Sequence, residues 1–341
     1  MQFQNVSILS LAHVDAPHRV TSSEVTGRLA ETMQRLGMRP DVLESASGIA
    51  ARRYWDRDVQ PSEVAALAAE KALAASGVDK SRIGIIVNTS VCRDYIEPST
   101  ACLVHRRLGL PAECLNFDLG NACLAFLSGM QVVGNMIDRG QIEYGLIANG
   151  ESARFVQEAT IQRLQRPETT AQEFRDQFAT LTLGSGAVAM VLARADLAPA
   201  GHRFVGIVNR AATQYSDLCR GQLDHMYTDA KALLVAGLEL AAQTFIHAKK
   251  AFGWTAAGGD NVDEYVLHQV SATHTASLCQ ALSLDPRKVM TIFPEFGNIG
   301  PASVPIVLSK AAESGRLQKG NRVALMGIGS GLNCSMAEVV W

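Results

Sequence analysis

Short apolar runs rich in β-branched residues alternate along this chain with segments whose apolar positions recur at helical spacing. The runs are RIGIIVNTS (82–90), IEYGLIANG (142–150), GAVAMVLAR (186–194), FVGIVNR (204–210), EYVLHQV (264–270) and RVALMGIG (322–329). Each has the length and composition of a buried strand, and the opening MQFQNVSILSLAHVDAP alternates as a strand does. Between them, PSEVAALAAEKALAASG (61–77) starts with Pro61 near the first helical position and stops on Gly77, the usual helix punctuation. A second long helix is predicted from Thr228 to Phe252. Strands and helices in alternation predict an α/β protein with central sheets covered by helices.

The pattern also repeats. IIVNTS precedes FDLGNACLAFLSGMQVVGNMIDRGQIEYGLIANG much as YVLHQVS precedes FPEFGNIGPASVPIVLSKAAESGRLQKGNRVALMGIG. Gly120-Asn121 corresponds to Gly297-Asn298, and the helix exit at Arg139-Gly140 to the one at Lys319-Gly320. Two related α/β halves are expected, 1–195 and 200–341, each with a Gly-Asn turn that opens a helix. A duplicated fold usually carries its active site where the halves face each other. The charged stretch 151–181 interrupts the repeat; Pro167 breaks it, and Thr170 with Glu173 forms a capping box for a second helix. It is read as a solvated helical pair, with a cover over a substrate channel as the sharper alternative.

Composition narrows the class. The chain has 341 residues, 48% hydrophobic and 19% charged, with a formal net charge of −2. That balance buries a substantial core and gives no bulk attraction for nucleic acid or an anionic membrane. Seven cysteines, at 92, 102, 114, 123, 219, 279 and 334, form no CxxC pair and are odd in number, which fits a reduced cytoplasmic protein. The N-terminus has no basic region of the signal-peptide kind. The longest uncharged stretch, Leu119 to Ile137, holds Asn121, Ser128, Gln131 and Asn135 and reads as a buried helix rather than a membrane span.

Candidate chemistry centres on Cys123. A strand that turns through DLGNA into a helix places this thiol at a helix N-terminus, where unpaired N–H groups and the macrodipole favour thiolate and leave donors for an oxyanion. The other six cysteines read as apolar filler. His268 sits where an apolar strand meets a polar loop, the place in one half where the partner of a thiol in the other half should lie. His274, nearby, lacks carboxylate or cysteine company, so no metal site is read. Asn298 lies in EFGNIGPAS, on the turn that matches Cys123's own, with Pro301 starting the next helix; its amide is positioned to donate to an enolate or carbonyl oxygen. GIGSGLN (327–333) is a weak dinucleotide signal because no βαβ unit follows, and a backbone N–H donor for an oxyanion is the better reading.

Taken in order, the cysteine, the HQ strand end, GNIGPASVP and the C-terminal GIGSGLN resemble the thiolase-fold condensing enzymes, in the branch that includes β-ketoacyl synthase III. NTSVCRDYIEPSTA, LGNACLAF, TIFPEFGNIGPASVPIVLSK and GIGSGLNCSMAEVVW are most similar to the acyl-CoA condensing enzymes of bacterial long-chain olefin biosynthesis. The resemblance spans essentially the whole chain. It implies a five-layered αβαβα thiolase-like fold and a homodimer. It also implies that Cys123 takes an acyl group as a thioester, that His268 and Asn298 stabilise an enolate, and that the N–H groups of Cys123 and Gly331 hold the thioester oxygen. CoA thioesters are then substrates, no cofactor is needed, and a reductase and other olefin-pathway enzymes are possible downstream partners. Arg52 and Arg53 in GIAARRYW are as compatible with CoA phosphates as with a solvated surface.

Glu97 separates two reactions. A decarboxylating synthase makes its carbanion by losing CO₂ from a malonyl thioester and needs no base, whereas a non-decarboxylative Claisen condensation must remove an α-proton. In similar enzymes a glutamate before PST reaches the partner subunit's site, and Glu97 in IEPSTA matches it. The resemblance therefore implies condensation of two fatty acyl-CoAs to a 2-alkyl-3-oxoacyl-CoA, the alternative being a β-ketoacyl synthase III that uses malonyl-carrier protein. A catalytically silent family member is disfavoured by the intact Cys123, His268 and Asn298.

Overall fold

The computed structural model describes residues 1–256 and 259–341. Its main strands are β1 (Val6–Asp15), β2 (Ile83–Asn88), β3 (Leu115–Asp118), β4 (Tyr144–Glu151), β5 (Gly186–Arg194), β6 (His202–Ala211), β7 (Glu264–Leu267), β8 (Arg322–Gly329) and β9 (Asn333–Val340). Among the described residues these hydrogen-bond in the order β7-β8-β9-β6-β1-β5-β4-β2-β3. The principal helices are α1 (Pro61–Ser76), α2 (Thr100–Leu108), α3 (Ala125–Asp138), α4 (Arg154–Leu164), α5 (Ala171–Gln177), α6 (Ala230–Phe252), α7 (Ala272–Leu282) and α8 (Ser303–Glu313).

One pairing pattern occurs twice. β1 runs antiparallel to β5, β5 antiparallel to β4, and β4 parallel to β2. In the second run β6 is antiparallel to β9, β9 antiparallel to β8, and β8 parallel to β7. The two runs join through β1 and β6, where only Ser7 with Arg203 and Ile8 with His202 pair. Helices α3 and α8 fill the space between the two sheets: Phe126, Leu127 and Met130 of α3 and Val304, Ile306 and Val307 of α8 pack in one core with residues of both runs. Helices α1 and α2 cover one outer face, α6 and α7 the other. The result is five layers, αβαβα, of the thiolase kind.

Local sequence explains the central elements. Because both faces of β5 are covered, its residues from Gly186 to Ala193 are all buried, which is why it reads as an unbroken apolar run. Helix α1 begins with a capping box between Gln60 and Glu63 and ends at Gly77 in the left-handed region, φ 66°. Its alanines allow close approach: a Cβ on Gly150 of β4 would lie 2.3 Å from the carbonyl oxygen of Pro61.

Two expectations change. The strand read through 264–270 stops at Leu267: the His268 N–H still donates to the Met326 carbonyl of β8, but the Gln269 N–H leaves the ladder for the Ser303 hydroxyl. Nor is 151–181 a solvated pair. Glu151 is the last residue of β4, and Ile161, Leu164, Phe174 and Leu181 form a separate core with Val25, Leu29, Met33 and Leu43 from the short helices near the N-terminus. The Thr170–Glu173 capping box is present.

Candidate active site

Cys123 stands on a strained elbow. β3 ends at Asp118, whose carboxylate accepts from the N–H groups of Thr100 (2.9 Å) and Ala101 (2.8 Å) and so ties the strand end to the start of α2. Ala122 follows with φ 44°, a left-handed conformation that a residue with a Cβ adopts at a cost of about 1–2 kcal/mol. A single 3₁₀ turn, Ala122–Leu124, then leads into α3 at Ala125. The side chain of Asn121 locks the elbow from behind: it donates to Ser128 Oγ (3.0 Å) and accepts from the Asn333 amide (3.2 Å). Gly329, at the end of β8, comes so near that a Cβ there would sit 3.2 Å from the Cys123 nitrogen.

The charge state of the thiol differs from the sequence expectation. Burial pushes the Cys123 thiol up to about 12, with the nearby Cys219 and Glu151 also opposing a thiolate and only its own backbone N–H favouring one. The thiol precedes α3 by a 3₁₀ turn, and loss of water outweighs the favourable helix end. His268 is held neutral as well: burial, and secondarily the charge of His274, lowers it to about 3. At neutral pH both groups are therefore uncharged, not a thiolate–imidazolium pair.

Strong backbone clamps position the histidine. His268 is 3% exposed, and its N–H donates to the Met326 carbonyl of β8 (2.8 Å). Gln269 beside it is fully buried and clamped: its side-chain oxygen accepts from the N–H groups of Ile292 (2.7 Å) and Phe293 (3.0 Å), and its amide donates to the Met290 carbonyl (2.7 Å). The Gln269 N–H donates to Ser303 Oγ (3.1 Å), at the start of α8. His268 Nδ1 is buried without a partner. Leaving a lone pair unmet is cheaper than stranding an N–H, so we place the imidazole proton on Nε2.

Asn298 is set by a backbone crossing. Its N–H donates to Thr182 O (3.0 Å) and its carbonyl accepts from the Gly184 N–H (2.8 Å). Its side-chain oxygen accepts from the Gly300 N–H (2.9 Å), which leaves the Nδ2 hydrogens as the free donors. Gly297 before it has φ 68°, and a Cβ there would lie 2.5 Å from Thr182 O, so the crossing requires glycine. The fully buried Gln157 of α4 donates to the Leu183 carbonyl and accepts from the Tyr54 hydroxyl, bracing the same crossing.

These elements converge. The turn that carries Cys123 packs on both β8 and the turn Gly300–Ala302 that follows Asn298, while β8 holds the His268 backbone. Gly331 lies in the turn between β8 and β9, with φ 138°. Glu97 is elsewhere: it sits exposed on an arm, 89–99, beside Tyr95 and Ile96, which are 59% and 84% exposed. Among the described residues Glu97 makes no hydrogen bond or ion pair, so within one chain it does not join the other three.

Arg52 is not available to a phosphate. It is fully buried, donates to Ser22 Oγ (3.1 Å), and packs its Cβ near Gly297 and Gly184, because its strand, Ala51–Tyr54, faces inward at that position. Arg53 is half-buried, with its guanidinium 5.1 Å from the centre of the Phe296 ring. Sequence reading missed Glu151, Gln269 as a clamp, and Gln157. For Gln269 the signal was its adjacency to His268, but Gln157 and Glu151 looked like members of a polar insertion.

Comparison with known proteins supplies context. The model of the 3-oxoacyl-[acyl-carrier-protein] synthase III C-terminal family matches residues 255–341. An acyl-CoA:acyl-CoA alkyltransferase of Xanthomonas campestris is 54% identical over 341 residues, covering all of both chains. One from Shewanella oneidensis is 37% identical over 353 aligned positions, again covering both chains completely. The crystal structure of cerulenin-bound Xanthomonas campestris OleA superposes with a TM-score of 0.97 at 54% identity, over 100% of this chain and 98% of that one.

Proposed function

The chain belongs to the acyl-CoA:acyl-CoA alkyltransferases, condensing enzymes of the thiolase fold, and from that premise we propose how its own residues carry the reaction. The protein is an acyltransferase that joins two long-chain acyl-CoAs without decarboxylation. The observation that carries the residue roles is the convergence of the Cys123 elbow, the β8 end that clamps His268, and the turn that aims Asn298.

In the first stage the Cys123 sulfur attacks the thioester carbonyl of one acyl-CoA while its proton passes toward the departing CoA sulfur. The resulting oxyanion is met by the N–H groups of Cys123 and Gly331. A thiol pushed up to about 12 is a poor resting nucleophile, so deprotonation accompanies attack, the proton passing to the CoA sulfur as that bond breaks. CoA leaves as a thiol and Cys123 holds the acyl group. In the second stage Glu97 of the opposite subunit removes the α-proton of another acyl-CoA. The enolate oxygen accepts from His268 Nε2–H and Asn298 Nδ2–H. The carbanion attacks the thioester, a carbon–carbon bond forms, and the Cys123 thiolate that leaves recovers the proton. The product is a 2-alkyl-3-oxoacyl-CoA, an intermediate suited to a reductase and to the first step of olefin biosynthesis.

Several observations support the wider reading. A narrow apolar gap lined by Gly237, Ala241, Leu278, Met326 and Met336 lies beside His268, between α6, α7 and β8–β9. Arg53 is the arginine of the pair left to meet a CoA phosphate. Leu115 and Phe117 lie 54% and 39% exposed on β3, the unpaired edge of the sheet, next to the exposed arm. A second copy that pairs there would cover both and carry each Glu97 toward the other site. The seven cysteines are all free, which suits a reducing cytoplasm, and no helix among the described residues is long and apolar enough to cross a membrane.

The test is mass spectrometry of products from myristoyl-CoA as the only substrate. The condensed β-keto product, or the ketone left after hydrolysis and decarboxylation, is expected; product that forms only when malonyl-carrier protein is added would overturn the non-decarboxylative reading.

A further inference from the structure

Glu151 is a buried carboxyl group that the reaction as written does not use. It ends β4, is 5% exposed, and has no cationic partner among the described residues. Burial raises its carboxyl to about 7 despite the hydrogen bonds it accepts. Those bonds come from the backbone N–H groups of Val91 (2.8 Å) and Cys92 (3.3 Å) and from the Asn149 amide (3.3 Å). Trp55 fixes the backbone at the same residue, its indole N–H donating to the Glu151 carbonyl (3.0 Å).

What the carboxylate grips is the root of the arm that carries Glu97. The arm leaves β2 at Asn88. Glu151 takes the N–H groups of Val91 and Cys92 near its root. Asp94 then accepts from the Ser62 N–H (2.9 Å) and hydroxyl (2.5 Å) at the start of α1, and Asp118 receives the far end at Thr100 and Ala101. Between these fixed points, Tyr95, Ile96 and Glu97 project into solvent. Glu151 also faces inward: a Cβ on Gly300 would lie 3.9 Å from its carboxyl carbon, and its charge is felt at Cys123. One side chain thus touches both the chain's own catalytic turn and the arm that leaves it. A carboxylate suits this place because its two oxygens accept from Val91 and Cys92 at once, whereas a glutamine would turn its NH2 toward one of those two N–H groups.

We propose that Glu151 is a positioning residue for the carbanion-forming stage: by holding the N–H groups of Val91 and Cys92 it sets where the arm delivers Glu97 in the opposite subunit. This rests on the reading of Glu97 as a base that acts across a dimer. Glu151 then serves a site it does not belong to, and loss of it harms the neighbour's condensation more than its own acylation.

The experiment uses full-length protein and myristoyl-CoA, with the acylation burst of CoA and the yield of condensed product measured separately. In Glu151→Ala, condensation falls about tenfold to a hundredfold further than acylation, the scale of a base displaced by about 1 Å. Glu151→Gln, which keeps an oxygen for Val91 and is isosteric, loses less; should the alanine variant not fold, the glutamine variant carries the same test. Mixed dimers, purified through two tags, then locate the effect. Pairing a Cys123→Ala subunit, whose arm is intact, with a Glu151→Ala subunit leaves one nucleophile served by one normal arm, and condensation per active thiol returns to the wild-type rate. The parallel dimer of Cys123→Ala with Glu97→Gln tests the underlying reading. No rescue there means that Glu97 does not act across the interface; rescue there without rescue of the Glu151→Ala dimer overturns the role of Glu151. Equal loss of acylation and condensation in the Glu151 homodimer, or loss of neither, also overturns it.

Discussion

The turns around Cys123 and Asn298 occupy matching places in the two runs of strands, yet each solves a different problem. At the first, an alanine is held at φ 44° and an asparagine locks the loop from behind, so the thiol that follows projects at the tip of the bend. At the second, Gly297 yields space to a crossing chain, and the asparagine itself is the functional group, its oxygen occupied by Gly300 and its hydrogens free. One turn carries its strain in the backbone to present a nucleophile. The other removes a side chain so that a donor is fixed. A duplicated turn has thus been divided between the covalent stage and the carbanion stage.

If that division holds, Asn298→Ala has the largest effect and a one-sided one. Losing an oxyanion donor lowers condensation by about 100- to 1000-fold, while the burst of CoA that reports acylation of Cys123 persists. Equal loss of both in stopped-flow thiol detection would break the comparison. Gly297→Ala comes next. A Cβ 2.5 Å from Thr182 O, at a left-handed φ, destabilises the protein by roughly 2–3 kcal/mol and displaces Asn298, which denaturant unfolding and the same product ratio would read together.

The first turn is sharpened by the titration of its thiol. With Cys123 pushed up to about 12, its alkylation by iodoacetamide should climb about tenfold per pH unit from pH 7 to 10 with no plateau, followed by mass spectrometry of the labelled peptide. A plateau near the ordinary thiol value would show that the bend presents an activated thiolate after all. The smallest effect is at Ala122. Glycine relieves the left-handed strain, and Ala122→Gly is expected to raise stability by about 0.5–1 kcal/mol, a gain that the corresponding residue of the second turn, Ile299 at φ −96°, has no strain to offer.

Local patterning made most elements legible. The strands read at 186–194 and 322–329 end where the structure ends them, and the cap at Thr170 is in place, because burial on both faces and capping chemistry are written in neighbouring residues. What failed was non-local. Phe174 and Ile161 looked solvated because the residues that bury them, Val25 to Leu43, lie far back in the chain. The thiolate expected at Cys123 followed from a helix end nearby, whereas the actual charge depends on burial by segments distant in the chain, such as the end of β8 at Gly329. Arg52 and Glu151 looked like surface charges for the same reason. The Cys123, His268 and Asn298 positions were visible because each sits at a strand end or turn with its own local signature; of the clamps behind them, Gln269 is marked only by its adjacency to His268, and Gln157 by nothing local.

The strand order has a consequence for the chain as it is made. Every strand on the β3 side of the β1–β6 junction, from β1 to β5, has been synthesised by Arg194, so these strands are able to pair early. Helix α3 has those strands to pack on, but the core it shares with Ile299, Ala302, Val304 and Val307 is completed only when the segment around α8 (Ser303–Glu313) emerges. For that interval the nascent protein carries an incomplete core with apolar surface exposed, the kind of state that chaperones protect, because the turn that packs on the nucleophile's own helix is among the last segments to be synthesised.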